Sequence, residues 1–276
     1  MKPARTAGLT AAALVGFAAN SLLCRAALET GTIDAASFTS VRLLAGALVL
    51  GALARLGTPA GETRGGSWIS AAALFAYAAG FSFSYLRLGA GIGALILFGT
   101  VQSTMIGWGL RGGERPRPSQ WLGLAIALAG LAVIVRTGRG APDPMGTVLM
   151  VVAGVAWGVY SLRGRAVTRP LAATADNFLR TVPFAVVLSV VSIGNLRVEP
   201  RGILLAASSG ALASGVGYAF WYAALPGLSR TRAATVQLLA PAMAAAGGVL
   251  LLGEEPGPRL VAGGACILAG VALAVR

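Results

Sequence analysis

The chain has little charge and no histidine. Charged residues make up 11% of its 276 positions, against roughly 25% in soluble domains, too few to cover a water-facing surface. The absence of His removes the commonest proton shuttle and metal ligand together. There are two cysteines, Cys24 and Cys266, each in or near an apolar run. Neither a disulfide framework nor a metal site is suggested, and nothing calls for a cofactor. No Gly-x-x-x-x-Gly-Lys-Ser/Thr loop occurs, which excludes ATP hydrolysis by that route. No acidic residue lies deep in an apolar run and no Cys/His cluster exists. That argues against an intramembrane protease, an acyltransferase or a redox enzyme, and weakens proton coupling through a buried carboxylate. The chain does not read as an enzyme.

What is present is apolar. Hydrophobic residues reach 56%, glycines number 39, and the mean hydropathy is +0.78. Charges fall in short clumps between apolar runs of roughly 18–22 residues, about the length that crosses a hydrocarbon core. The expectation is an all-α membrane protein of ten spans, about 7–27, 35–55, 67–87, 91–111, 119–136, 145–163, 173–193, 203–224, 231–252 and 259–275. Asp34 and Ser119 stand where N-caps of the second and fifth spans belong. The first run reads as an uncleaved helix rather than a signal peptide, because nine more follow. A net charge of +13 reflects basic loops and not a nucleic-acid surface. With the N-terminus inside, thirteen basic residues fall on cytoplasmic segments and seven on outer loops. Both termini are therefore expected in the cytoplasm.

The chain also repeats itself. At an offset of 140, Gly113–Val135 falls on Gly253–Val275 with eleven identities in twenty-three ungapped positions. These include Gly113/Gly253, Glu114/Glu254, Pro116/Pro256, Pro118/Pro258, Gly123/Gly263 and Gly130/Gly270. The register continues upstream, pairing Phe17 with Trp157, Phe38 with Phe178 and Leu88 with Leu228. A rival pairing of Thr100-Val101-Gln102 with Thr235-Val236-Gln237 needs an offset of 135 and is set aside as chance. Repeats are sought before any other organisation. Two units, residues 1–140 and 141–276, each hold five spans, an odd number, so the second enters the membrane inverted. Inverted repeats around a midplane site are a transporter architecture. Glu114 and Glu254, each between a glycine and a proline, read as caps of the helix that follows them.

Ten spans, the five-plus-five repeat, Gly-Glu-x-Pro after spans four and nine, and Phe38-x-x-x-Arg42-Leu43-Leu44-Ala45 in span two together resemble the drug/metabolite transporter superfamily, specifically its EamA-type members. The resemblance covers nearly the whole chain. It implies an inner-membrane carrier of the bacterial type, akin to exporters of amino acids and other metabolites, and it leaves the substrate open. Lipid-linked or drug-like cargo, or a non-transporting membrane subunit, are the alternatives.

Candidate substrate-binding residues follow from charge and helical faces. Arg42, about 10 Å into span two at about 1.5 Å per residue, is costly in lipid. It reads as the counter-charge for a substrate carboxylate, as a structural tie at a helix end, or as a side chain snorkelling toward the outer interface. Arg180, with Asp176 one turn earlier, reads as a local ion pair. Tyr77 and Phe81 share a face of span three, as Tyr218 and Trp221 do of span eight, while Trp157, Tyr160 and Asn20 lie on spans six and one. Facing these inward gives an aromatic chamber in which Asn20 and Gln102 bond polar groups. Tyr85, near a helix end, is expected at the interface. Thr100, Ser103 and Thr104 form a polar seam in span four, and Pro183 and Pro241 should kink spans seven and nine. The expected partners are a small-molecule substrate and the lipid bilayer, with no nucleic acid, the chain acting as a monomer or homodimer.

Overall fold

The computed structural model describes residues 3–57, 65–111, 117–135, 141–164, 167–228, 236–237 and 239–274. The helices are α1 (Pro3–Glu29), α2 (Ala35–Gly57), α3 (Trp68–Tyr85), α4 (Ala90–Arg111), α5 (Pro118–Val135), α6 (Pro144–Gly164) and α7 (Pro170–Val191). Next comes a broken rod. It consists of α8 (Pro200–Ser208), a π-helical stretch (Ser209–Val216) and α9 (Gly217–Ala224), and is followed by α10 (Leu239–Leu252) and α11 (Pro258–Ala274). No strand occurs among the described residues, only an isolated bridge between Ile33 and Val198. Among the described residues, six helical segments are long and apolar enough to cross a membrane, Pro200–Ala224 counting as one. Apolar side chains on all sides, such as the exposed Leu48, Val187 and Leu250, are what lipid-facing helices require.

Several boundaries have legible causes. Asp34 caps α2 as expected, its Oδ1 accepting from the Ser37 amide at 2.9 Å. Its Oδ2 accepts from the Arg197 amide at 3.1 Å, which ties the α1–α2 turn to the segment before α8. Ser119 does not cap α5: the helix begins at Pro118, whose ring presets the first turn, so Ser119 lies inside it. Pro183 stands inside α7 as expected. The expected i,i+4 pair is present, Arg180 Nε lying 3.2 Å from Asp176 Oδ2.

Small residues set the closest crossings, as is usual where lipid leaves helices no hydrophobic drive to associate. Helix α5 packs on α11 through its repeated glycines. A Cβ on Gly130 would meet the Gly263 carbonyl at 2.7 Å, and one on Gly270 would meet the Gly123 carbonyl at 2.5 Å. Helix α2 lies against α7 and against the π-helical stretch. There the space beside Gly210 is filled by the backbone of Arg42, so a side chain has no room. Helix α3 packs on α6, α4 on α6 and α10, and α1 on α9 and α10.

Tyr85 corrects an expectation. It is fully buried, its ring edge-on to Phe81 at 4.7 Å and occupying a slot that Gly93 leaves open. Its closeness to a helix end misled, because the ring packs between Phe81 and Gly93. The seam of span four is a helix contact rather than a lining. Thr100 and Thr104 press on Gly154 and Gly158 of α6, and Ser103 and Thr104 bond back to the Gly99 and Thr100 carbonyls.

Candidate functional site: an aromatic chamber between a vestibule and a latch

The centre of the bundle is where α1, α3, α6 and the broken rod converge. Tyr77 lies 4.7 Å from Trp157, and Trp157 lies 5.5 Å from Tyr218, ring centre to centre. These side chains, with Phe17, Asn20, Ser21, Phe81, Leu97, Phe98, Ser214 and Gln237, line a small cavity. Its volume is about 30 Å³, room for a water or two. A solute enters only if the rings part.

A chain of hydrogen bonds crosses this centre. Arg42, 1% exposed, donates from Nη2 to Tyr77 Oη at 3.0 Å. Asn20 Nδ2 donates to the same oxygen at 3.1 Å, and Ser209 Oγ donates to Asn20 Oδ1 at 2.6 Å. Arg, with five donors and no acceptor, fixes the sense of the chain. Tyr77 Oη therefore accepts twice and keeps its own proton for the cavity it lines. The guanidinium carbon sits 5.1 Å from the Tyr77 ring centre and 4.9 Å from that of Phe81, both cation–π distances. Arg42 Nε and Nη1 are buried without a partner among the described residues. Loss of hydration at such atoms is costly, so a ligand that paired them would be favoured.

Of the nine sequence candidates, Asn20, Tyr77, Phe81, Trp157 and Tyr218 line the chamber. Arg42 stands behind Tyr77 and Phe81 and reaches the chamber through the Tyr77 hydroxyl. Trp221 packs with Ala13 and Phe17 at the chamber's edge. Tyr160, stacked on Trp157 at 5.4 Å, faces a second cavity. Gln102 lines neither cavity among the described residues. The amide that joins Asn20 at the chamber is instead Gln237, the partner in the rival pairing at offset 135. Ser209 and Ser214, contributed by the π-helical stretch, carried no signal in the sequence, since nothing announces a π turn beyond small residues. Such turns recur at functional sites.

The second cavity, about 280 Å³, opens at the Arg163 end of the bundle. The ends of three helices build it: Ser67 and Ser70 at the start of α3, Tyr160 and Arg163 at the end of α6, Thr174 and Asn177 in the first turns of α7, with Tyr222 of α9. Arg163 Nε bonds Ser70 Oγ at 3.0 Å and its Nη2 bonds Ser67 Oγ at 3.3 Å. Tyr160 donates to Thr174 at 3.3 Å, and Thr174 and Tyr222 share a bond of 3.1 Å. Trp157 and Tyr160, one turn apart on α6, are thus the wall between chamber and vestibule. Sequence reasoning missed the vestibule because partners such as Arg163 and Ser70 stand 93 positions apart, and its residues form no local motif.

The opposite end of α3, an 18-residue helix and so about 27 Å long at about 1.5 Å per residue, is tied together by Glu254. Its Oε1 accepts from the Ala90 amide at 2.5 Å and its Oε2 from the Gly91 amide at 3.3 Å, so it caps the N-terminus of α4. That corrects the expectation of a cap on the helix that follows, α11. Arg25 Nε lies 3.8 Å from the same carboxylate, while its Nη1 bonds the Tyr85 carbonyl at 3.0 Å. The carboxylate fills space that a Cβ on Gly89 or Gly248 would occupy. Arg87 and Asp143 add an outlying ion pair at 3.4 Å. Glu114, the repeat partner of Glu254, lies outside the described residues.

A family model described as the EamA-like transporter family matches residues 144–276. An uncharacterised protein of Pseudomonas aeruginosa is 50% identical over 274 residues, which span 99% of this chain and 95% of that protein. An uncharacterised transporter of Archaeoglobus fulgidus is 29% identical over 204 residues, 70% of each chain. A protein of known crystal structure shares the fold at a TM-score of 0.67 and 20% identity, covering 96% of this chain and 98% of that one. The apolar helices, the cavities between them and these matches agree: the chain belongs to the EamA-like transporter family of the drug/metabolite transporter superfamily, as a multi-pass membrane transporter of small solutes.

Proposed function

We propose that the chain is a carrier that moves a small amphipathic solute bearing a carboxylate by alternating access, and that it works as an exporter. The observation that carries this reading is a central aromatic chamber with a vestibule beside it at one end of the bundle. The vestibule reaches within one ring, Tyr160, of Trp157, and at the far end the Glu254 carboxylate, bonded to the start of α4, is placed to act as a latch. Opening the latch and pressing the vestibule shut would carry a solute held at Trp157 and Tyr77 across.

The architecture behind this is ten spans in two inverted five-helix units, residues 1–140 and 141–276. Packing supports it. An offset of 140 maps the α2–α7, α4–α10 and α5–α11 contacts each onto itself, and exchanges α3–α6 with the contacts of α1 on the broken rod. The reciprocal glycine contacts of α5 and α11 follow the same two-fold rule. Such a pseudo-two-fold lets the two halves rock about a fixed midplane site.

The excess of basic residues supports a vestibule in the cytoplasm and a latch outside, both termini inside, in the bacterial inner membrane. A vestibule open inward is the state that loads an exporter. The protein is read as a transporter without catalytic chemistry of its own. The test is flux into proteoliposomes from a panel of amino acids, carboxylates and amines, against protein-free vesicles. Saturable flux of at least one solute is expected. A folded protein that passes none of them overturns the carrier reading.

A further inference from the structure

The two cavities share a chemical bias. Arg163 spends Nε and Nη2 on Ser70 and Ser67, and its Nη1 makes no bond among the described residues. Ser67 Oγ donates to Ser70 Oγ at 2.9 Å, so Ser70 accepts twice and its own proton is unspent. Asn177 Oδ1 accepts from the Ser67 amide at 2.9 Å, and its Nδ2 donor faces the Tyr160 hydroxyl. In the Tyr160–Thr174–Tyr222 chain, one hydroxyl proton is left over whichever way the second bond runs. Each of these groups can donate, and none carries a negative charge.

No carboxylate offsets them. Among the described residues, no Asp or Glu lines either cavity. The nearest acid to the vestibule, Asp176, is committed: its Oδ2 takes the Gly66 amide and Arg180 Nε, each at 3.2 Å. Deeper in, the bias repeats, with the unspent Tyr77 proton on the chamber wall and the partnerless Arg42 Nε and Nη1 behind it. An ammonium group would find neutral hydroxyls, amide oxygens and ring faces but no carboxylate among the described residues, and Arg42 already lies over Tyr77 and Phe81.

We infer that the solute is a net organic anion, a compact apolar body carrying one carboxylate and no compensating ammonium, and that the vestibule at Arg163 is its loading site. The inference rests on the carrier reading and names its substrate class. Arg163 and Ser70 meet the carboxylate first; Trp157 and Tyr77 take the apolar body. The vestibule's 280 Å³ lies just under the roughly 300 Å³ at which sites for drug-sized ligands begin, which keeps the solute small.

The test uses three probes with one ring and nearly one size: 3-phenylpropionate (anion), phenylalanine (zwitterion) and 2-phenylethylamine (cation). Binding to the full chain is measured by calorimetry in phosphatidylcholine nanodiscs. The carboxylate is expected to bind at least about tenfold more tightly than either other probe, the worth of a charge-assisted hydrogen bond or more. Arg163→Gln should weaken it about tenfold with unchanged melting, and Arg163→Lys should restore the preference for the anion. Equal or tighter binding of phenylalanine or the amine overturns the inference. So does unchanged affinity in Arg163→Gln, or no saturable binding of any probe to folded protein. If phosphatidylglycerol nanodiscs abolish the carboxylate's binding, the vestibule is a lipid phosphate site and the assignment falls. The two readings fail separately: flux of amines alone overturns the anion assignment and leaves a carrier, whereas selective anion binding with no flux overturns the carrier.

Discussion

Tyr77 is the residue on which the centre turns, because one phenol oxygen satisfies donors from two other helices. Tyr77→Phe keeps the ring and removes the acceptor. It leaves Arg42 Nη2 and Asn20 Nδ2 without that bond, at a cost of about 1–3 kcal/mol for each buried donor left unpaired. Thermal unfolding in detergent should show it. Arg42→Met separates charge from volume. A buried ion replaced by an apolar side chain of similar size is often neutral or stabilising, so melting should hold or rise while flux falls. Loss of folding together with flux would make Arg42 purely structural. Asp34 reports on pH. Burial pushes its carboxyl up, but the Ser37 hydroxyl and the amides of Ser37, Arg197 and Ala36 outweigh this and hold it below the ordinary value. A lowered folded pKa gives stability that is fully present above the unfolded value, about 3.9, and is lost as pH falls through the folded one. Melting temperature should therefore drop below about pH 4, and Asp34→Asn should flatten that drop. Arg42 and Tyr77 could be singled out in the sequence by charge cost and helical face. Their bond could not, since it depends on the rotation of α3 against α2.

At the scale of elements, the latch and the π-helical stretch are the two devices that matter. Glu254→Ala strips the α4 amides of their acceptor and Arg25 of its nearby anion. That should weaken this end by about 1–3 kcal/mol, which is roughly fivefold to 150-fold in the population that opens. Cys24, fully buried next to Arg25, is a built-in reporter. With Cys266 replaced by alanine, thiol labelling of Cys24 should run about tenfold faster when Glu254→Ala is added. Equal rates would mean that the carboxylate does not hold this end shut. Gly210→Ala sets a methyl against the α2 backbone at Arg42 and should cost about 1–3 kcal/mol, the usual penalty of overpacking. The Gly-Glu-x-Pro turn was visible in the sequence as a helix stop, but its partner was not. The glutamate caps a helix that begins at Ala90, 164 positions earlier, and local rules for capping look only forward by a turn. The glycine pairs of α5 and α11 were visible as a register and became a contact surface once folded.

For the molecule as a whole, the coarse plan was legible. Runs of apolar residues and scarce charge lead to an all-α membrane protein without any coordinates, and the resemblance of its motifs leads to its family. The chamber was half legible: five of nine candidates line it. Tyr160, Trp221, Arg42 and Gln102 stand elsewhere, because periodicity gives a face and not a depth. The vestibule was illegible, being made of helix ends. Its charge balance is what supports the proposal of an organic anion over an amino acid. Counterflow in proteoliposomes tests the central claim most directly, since only a carrier whose site faces the two sides in turn is driven by solute on the far side. Vesicles preloaded with unlabelled solute should take up labelled solute faster than empty ones with the natural sequence and with Trp108→Ala, a change on the exposed flank of α4. Trp157→Ala should lose at least about tenfold of this exchange, the worth of one aromatic contact at a binding hot spot. The account is contradicted if folded protein of the natural sequence shows no such acceleration, or if Trp157→Ala exchanges as fast as Trp108→Ala.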